Sequence, residues 1–182
     1  MTNTNYDLRT RALHWTTALM VIFLWGGAHV IDWFPKGPLR VDARSVHIVV
    51  GGLLVALTAY RVYWRLTRGQ KIPHAGSLAE RTASVTHVAL YVLIGCTLIL
   101  GMANAWVRGD SLFGLVKIPY FGSYDAASRH ALSEWIVGRH ELGANLILIL
   151  AAGHAVVGLF HHFVLRDDVL RRMVPQGRAR SD

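Results

Sequence analysis

The chain has 182 residues, 53% of them hydrophobic and only 16% charged, against about 25% charged in soluble domains. Its mean hydropathy is +0.34, which points to lipid rather than water as the solvent. The formal net charge of +8 would suit nucleic acid if it formed one patch, but the positive residues flank apolar runs. Membrane topology explains that pattern, and no nucleic-acid partner is expected.

At about 20 residues per crossing the length allows four or five membrane helices. Four are expected, over about 13–31, 45–64, 82–106 and 137–165, in a single domain covering 1–182. The fold class is an all-α, integral membrane four-helix bundle, with lipid as its surroundings. Arg9 and Arg11 precede the first span, and Asp32-Trp33-Phe34-Pro35 closes it. That span is long for a secretory signal and lacks a small-residue cleavage site, so it is expected to be retained. The second span opens at Ser45 and ends at Trp64. The third holds Cys96, which has no second cysteine to bridge and reads as a small core hydrophobe. Trp33, Trp64, Trp106 and Trp135 fall at span ends, where interfacial aromatics belong.

Four spans put both termini on one side. That side carries 12 basic residues and the other 7, and with the acids the balance is +7 against +1. The positive-inside rule then places both termini in the cytoplasm. The connection at about 107–136 faces outward. Its Leu112, Phe113, Leu115, Val116, Ile118, Tyr120 and Phe121 suggest that it lies on the outer interface.

The ten histidines carry the chemistry. His74 and His130 fall in loops and read as solvated. The remaining eight lie in or at the ends of spans, where an imidazole is expensive unless it has a role. His140 and His154 are 14 residues apart on the fourth span. That spacing is within about 40° of four full turns and rises about 21 Å, so both rings leave one face at two depths. His14 begins the first span near the cytoplasm, and His47 begins the second near the outside. Depth therefore pairs His14 with His154 and His47 with His140, and two imidazoles at one depth can hold a haem iron from both faces. A flat macrocycle needs a thin helix beside its ligand. His14 has Ala18 at i+4, His47 has Gly51 and Gly52, His140 has Gly143 and Ala144, and His154 has Gly158. Hydrogen bonding between helices is the structural alternative for each histidine taken singly. His87 is the main rival as an inner ligand. His161 and His162 suit propionate contacts, a quinone pocket or interfacial anchoring, and His29 reads as interfacial.

Other chemistries fit less well. The sequence has no paired-Cys zinc spacing, no His-Glu-x-x-His and no Gly-rich phosphate loop. The spans hold almost no carboxylate for an ion-coupled transporter, and Glu141 suits a helix N-terminus.

Taken together, a set of ordered motifs resembles the bacterial cytochrome b561 family, over nearly the whole chain. They are Tyr6 with the basic segment to His14-Trp15, His47 with Gly51 and Gly52, His87 with Tyr91, and Arg108-Gly109 ahead of Phe113-Gly114 and Pro119. His140-Glu141, His154, and the run from His161-His162-Phe163 through Asp167, Leu170, Arg172 and Met173 to Pro175 complete the set. The resemblance implies two b haems, the inner one on His14 and His154 and the outer one on His47 and His140. It also implies oxidation of superoxide to oxygen, with ubiquinone as acceptor. The segment Pro38 to Ser45 is longer than the family pattern, and it is read as part of an outer loop.

Superoxide is an anion, and a cationic entry would focus it. Lys36, Arg40, Arg44, Arg108, Lys117 and Arg139 are the outer candidates, with Arg108 and Lys117 preferred because both lie on the outer connection. The alternative activity is an electron-transfer subunit that docks a protein electron donor, a dehydrogenase or hydrogenase, to the quinone pool. A histidine-rich structural or metal-transport bundle is a third, non-redox reading.

Overall fold

The carboxylate of Asp7 accepts the amide of Thr10 at 2.9 Å and its hydroxyl at 2.6 Å, an N-cap that starts the first helix, α1, Leu8–Ile31. Pro38 occupies the first turn of α2, Pro38–Thr67, where its missing amide costs nothing. The third helix, α3, is Leu78–Arg108. Asp125 caps α4, Ala126–Phe160, by accepting from Ser128, and those bonds hold its carboxyl below the usual carboxylate range. In this computed structural model the described residues are 6–69, 78–120 and 122–174. His74, Lys71, Phe121, Pro175 and the tail beyond it, all used in the sequence reading, lie outside them.

Every helix begins before the span expected for it, and α4 gives way to a π-helical turn from His161 within its expected span. All four expected spans are present, and each of these helices is long and apolar enough to cross a membrane. Many of the added residues are polar or charged, such as Arg40, Asp42, Arg44, Arg129 and Glu134. The largest differences fall on α2 and α4. Pro38 to Ser45 is the opening two turns of α2 rather than a loop, so His47 sits well inside its helix. The outer connection is shorter than 107–136, because its last eleven residues belong to α4. The α4 helix is 35 residues long, about 52 Å at 1.5 Å per residue, well beyond a hydrocarbon layer of about 30 Å.

The helices pack in ring order, α1 on α2, α2 on α3 and α3 on α4, with only a light approach of α1 to α4. Leu13, Leu24, Leu54, Ile94, Ala105, Ile136 and Ile147 are buried at the centre. Large apolar residues such as Leu19, Phe23, Val85, Val92, Ile99, Ile149 and Val156 are exposed around the outside. Over four hydrophobic helices that inversion belongs to an integral membrane bundle, whose outer face meets lipid.

Between α3 and α4 lies a two-stranded hairpin, β1 Ser111–Leu112 and β2 Val116–Lys117, paired antiparallel with Ser111 opposite Lys117. Phe113 and Gly114 both have positive φ, 52° and 69°, as a type I′ turn requires. The buried hydroxyl of Ser45 accepts from Phe113 N at 2.8 Å and lies 2.7 and 3.1 Å from the carbonyls of Val41 and Ser111. One α2 side chain thus fixes the hairpin across this "hairpin end" of the bundle. At the opposite, "terminal end", α4 runs into a π-helical turn, His161–Leu165, and a short 3₁₀ turn, Arg171–Met173. The chain there folds back on α1, where Arg11 and Trp15 donate to the carbonyls of Val174 and Met173 at 3.0 and 2.9 Å.

Candidate functional site

Two histidine pairs stand along α4, one toward each end. At the hairpin end the rings of His47 and His140 have centres 6.2 Å apart and planes turned by 72°. At the terminal end the rings of His14 and His154 are 6.3 Å apart and turned by 68°. The four histidines selected from sequence are therefore brought together in the two pairs expected. One metal ion between two imidazoles, with bonds of about 2 Å, sets ring centres about 6.3 Å apart. His87 also reaches the terminal pair, with its ring centre 5.1 Å from that of His154, which is too close for a metal ion to stand directly between them.

Among the described residues no cluster of three or more His, Cys, Asp or Glu could hold a metal ion alone. A metal on either pair needs further ligands, and the pyrrole nitrogens of a porphyrin supply them. The space fits such a group at the hairpin end. A cavity of about 370 Å³ there is lined by His47, His140, Gly51, Gly52, Leu54, Ile94, Gly101 and Ala144, among others. Small residues on α2, α3 and α4 keep its walls thin.

The surroundings of each ring were not legible in the sequence. His140 Nδ1 lies 2.9 Å from the Thr97 carbonyl, which can only accept, so Nδ1 carries the proton and Nε2 keeps a lone pair for a metal. Gly101 faces the same ring, and a Cβ there would stand 2.9 Å from His140 Cε1. A side chain at Gly143 would run into Thr97 Oγ1, so glycine lets α3 and α4 close around this site. His47 Nδ1 is buried without a hydrogen-bond partner. Trp25 Nε1 donates to Asn145 Oδ1 at 2.8 Å, tying α1 to α4 beside the cavity. At the terminal pair Arg61 Nη2 lies 2.9 Å from His14 Nδ1, and its guanidinium sits over the Tyr91 ring at 5.2 Å.

Asp110 divides itself between two of the expected outer cations, Arg44 at 3.5 Å and Arg108 at 3.4 Å. Arg108 is thus a partly paired charge, whereas Lys117 is exposed on β2. Arg40 caps the end of α1, donating to the carbonyls of Phe34 and Asp32 and pairing with the Asp32 carboxylate at 3.5 Å. Arg139 stacks on Trp135 at 4.1 Å.

His161 Nδ1 meets Asp167 Oδ2 at 2.6 Å, and that bond holds the Asp167 carboxyl below its ordinary range. His162 packs on Phe163 at 4.8 Å with its Nδ1 buried and unpartnered. His29 bonds the Trp25 carbonyl at 2.8 Å, and His130 lies 3.9 Å from Glu134 at the surface.

A family model described as prokaryotic cytochrome b561 matches residues 5–176. Among curated proteins, the chain is 28% identical to cytochrome b561 homolog 1 of Escherichia coli K12, over 90% of this chain and 93% of that protein. It is 26% identical to a protein of Yersinia pestis named as a probable superoxide oxidase, CybB, over 96% and 98%. It is 30% identical to a cytochrome b562 of Cereibacter sphaeroides, over 89% and 90%.

Proposed function

Because the chain belongs to the prokaryotic cytochrome b561 family, and so is a membrane electron-transfer protein that binds haem b, we propose that it holds two b haems and passes electrons from superoxide to a quinone. The observation that carries the proposal is the pair of imidazole separations, 6.3 and 6.2 Å, at two levels of one helix. His14 and His154 ligate the inner haem, and His47 and His140 the outer. His87 stands beside the inner pair without ligating. Haem b supplies one-electron chemistry at both levels.

The protein's own contribution is to hold and orient. The Thr97 carbonyl fixes His140 in the tautomer that offers Nε2. Glycines at 51, 52 and 101 leave room for the macrocycle, and Gly143 lets α3 and α4 approach beside it. The hairpin pinned by Ser45 covers the outer end, and Arg44, Arg108 and Lys117 lie there as a cationic rim. No side chain acts as a nucleophile. Each of two superoxide anions loses one electron and leaves as oxygen, and the two electrons with two protons turn one quinone, ubiquinone in this reading, into quinol. The name of the Yersinia pestis relative supports superoxide as donor, and the outer charge suits an anion. The charge balance of +7 against +1 supports an inner-membrane orientation with both termini in the cytoplasm.

The test is stopped-flow mixing of superoxide with the purified haem protein and ubiquinone. Haem reduction within the mixing pulse, followed by quinol, is expected. Absence of reduction by superoxide, together with reduction by a dehydrogenase or hydrogenase, overturns the donor assignment in favour of a partner-docked electron carrier.

A further inference from the structure

Arg61 is a charge on a membrane-crossing helix, and its guanidinium turns into the bundle. An arginine near a helix end would ordinarily snorkel outward to the interface. Here Nη2 reaches His14 Nδ1 on α1 at 2.9 Å, and the guanidinium lies over Tyr91 on α3. Among the described residues no carboxylate lies within 4.0 Å of it. A part-buried guanidinium on a membrane-crossing helix without a carboxylate partner is costly, so the arrangement calls for an anion.

The contact with His14 sharpens that requirement. A guanidinium can only donate, so His14 Nδ1 accepts and the imidazole proton sits on Nε2. Ligation of a metal through Nε2 moves the proton to Nδ1, and two donors then face each other. An acceptor is needed beside them, and a carboxylate meets both demands. Resting on the two-haem reading above, we propose that Arg61 clamps a propionate carboxylate of the haem held by His14 and His154. Arg61 would thereby be a cofactor-binding residue of the inner site.

Haem release to an excess of apomyoglobin tests the clamp, using holoprotein loaded with haem or with haem dimethyl ester, whose propionates are uncharged. A His47→Ala background leaves the inner haem alone in the count. Arg61→Gln is expected to speed release about tenfold or more, as loss of a charged hydrogen bond would. Arg61→Lys should recover part of that loss. Esterification should speed release from the Arg61 protein by a similar factor and add nothing in Arg61→Gln. Additive effects of the substitution and the ester, or no effect of either, overturn the clamp. If Arg61→Gln fails to assemble, the parent with and without the ester still decides, because equal release rates exclude a propionate clamp. Retention of two haems by His47→Ala would instead defeat the ligand assignment itself, which separates the two failures.

Discussion

A neutral imidazole has one nitrogen that donates and one that accepts, and its neighbours decide which is which. His140 shows the assignment most clearly, since the Thr97 carbonyl at 2.9 Å leaves Nε2 for a metal. The histidines themselves were legible in the sequence, because a polar ring in an apolar segment stands out and helical spacing gives its depth. Thr97, Gly101 and Arg61 were not, because they lie on other helices, and which side chain meets which ring depends on helix rotation. Replacing His47 or His140 with Ala should remove the outer haem, and replacing His14 or His154 should remove the inner one. His87→Ala should keep both low-spin signals in electron paramagnetic resonance. Loss of a signal in His87→Ala, with retention in His14→Ala, would reassign the inner pair. Gly101→Val should act through the same site. Its Cβ would stand 2.9 Å from the His140 ring, so pyridine haemochrome assay should fall from about two haems per chain toward about one, with the His14–His154 signal intact.

Helices end where their backbone bonds and caps end, whereas hydropathy reports only where lipid begins. That difference explains the early start of α2, whose first turns carry Arg40, Asp42 and Arg44 and so fall below an apolar threshold. Pro38 was the available signal, since proline favours a first helical turn. Asp125, followed three residues later by Ser128, was the corresponding signal for α4. The bonds made by Ser45 had no sequence signature, because they join positions 66 and 68 residues apart. Ser45→Ala should free the amide of Phe113 and cost about 0.5–1.5 kcal/mol, the net worth of an ordinary hydrogen bond. Faster proteolysis within 111–117, with haem content unchanged, would register it. At the other end, Asp167 is held below the ordinary carboxylate range by His161. A depressed carboxyl pKa contributes stability above its unfolded value and loses it as pH falls through the folded one. The fold-back of the 166–174 segment on α1 should therefore loosen only in acid. Asp167→Asn should remove that acid transition, read by the fluorescence of Trp15, whose indole bonds Met173.

Across the whole molecule, one helix serves both sites. α4 carries His140 and His154, while α1 and α2 each bring one partner, so the two imidazole pairs stand at two depths of a single bundle. For electrons to start at the outer centre, an anionic donor must reach the hairpin end. Arg108 shares Asp110 with Arg44, whereas Lys117 is open to solvent. Neutralising Arg108 and Lys117 together leaves the Arg44–Asp110 pair and the Ser45 anchor in place, so the cover should keep its shape while its field weakens. Superoxide capture should then fall about threefold or more, since focusing by clustered charge raises on-rates by about 10 to 1,000-fold. In the parent, capture should also slow as salt rises and screening shortens the field to about 8 Å at physiological ionic strength. The double variant should respond less to salt, with haem content unchanged. The measurement is haem reduction by pulsed superoxide at low and high salt in both proteins. A protein donor docked elsewhere makes no such demand. Salt-independent capture in the parent, or equal rates in parent and variant, would remove the cationic rim from the mechanism and leave the imidazole pairs as the part of the proposal that stands.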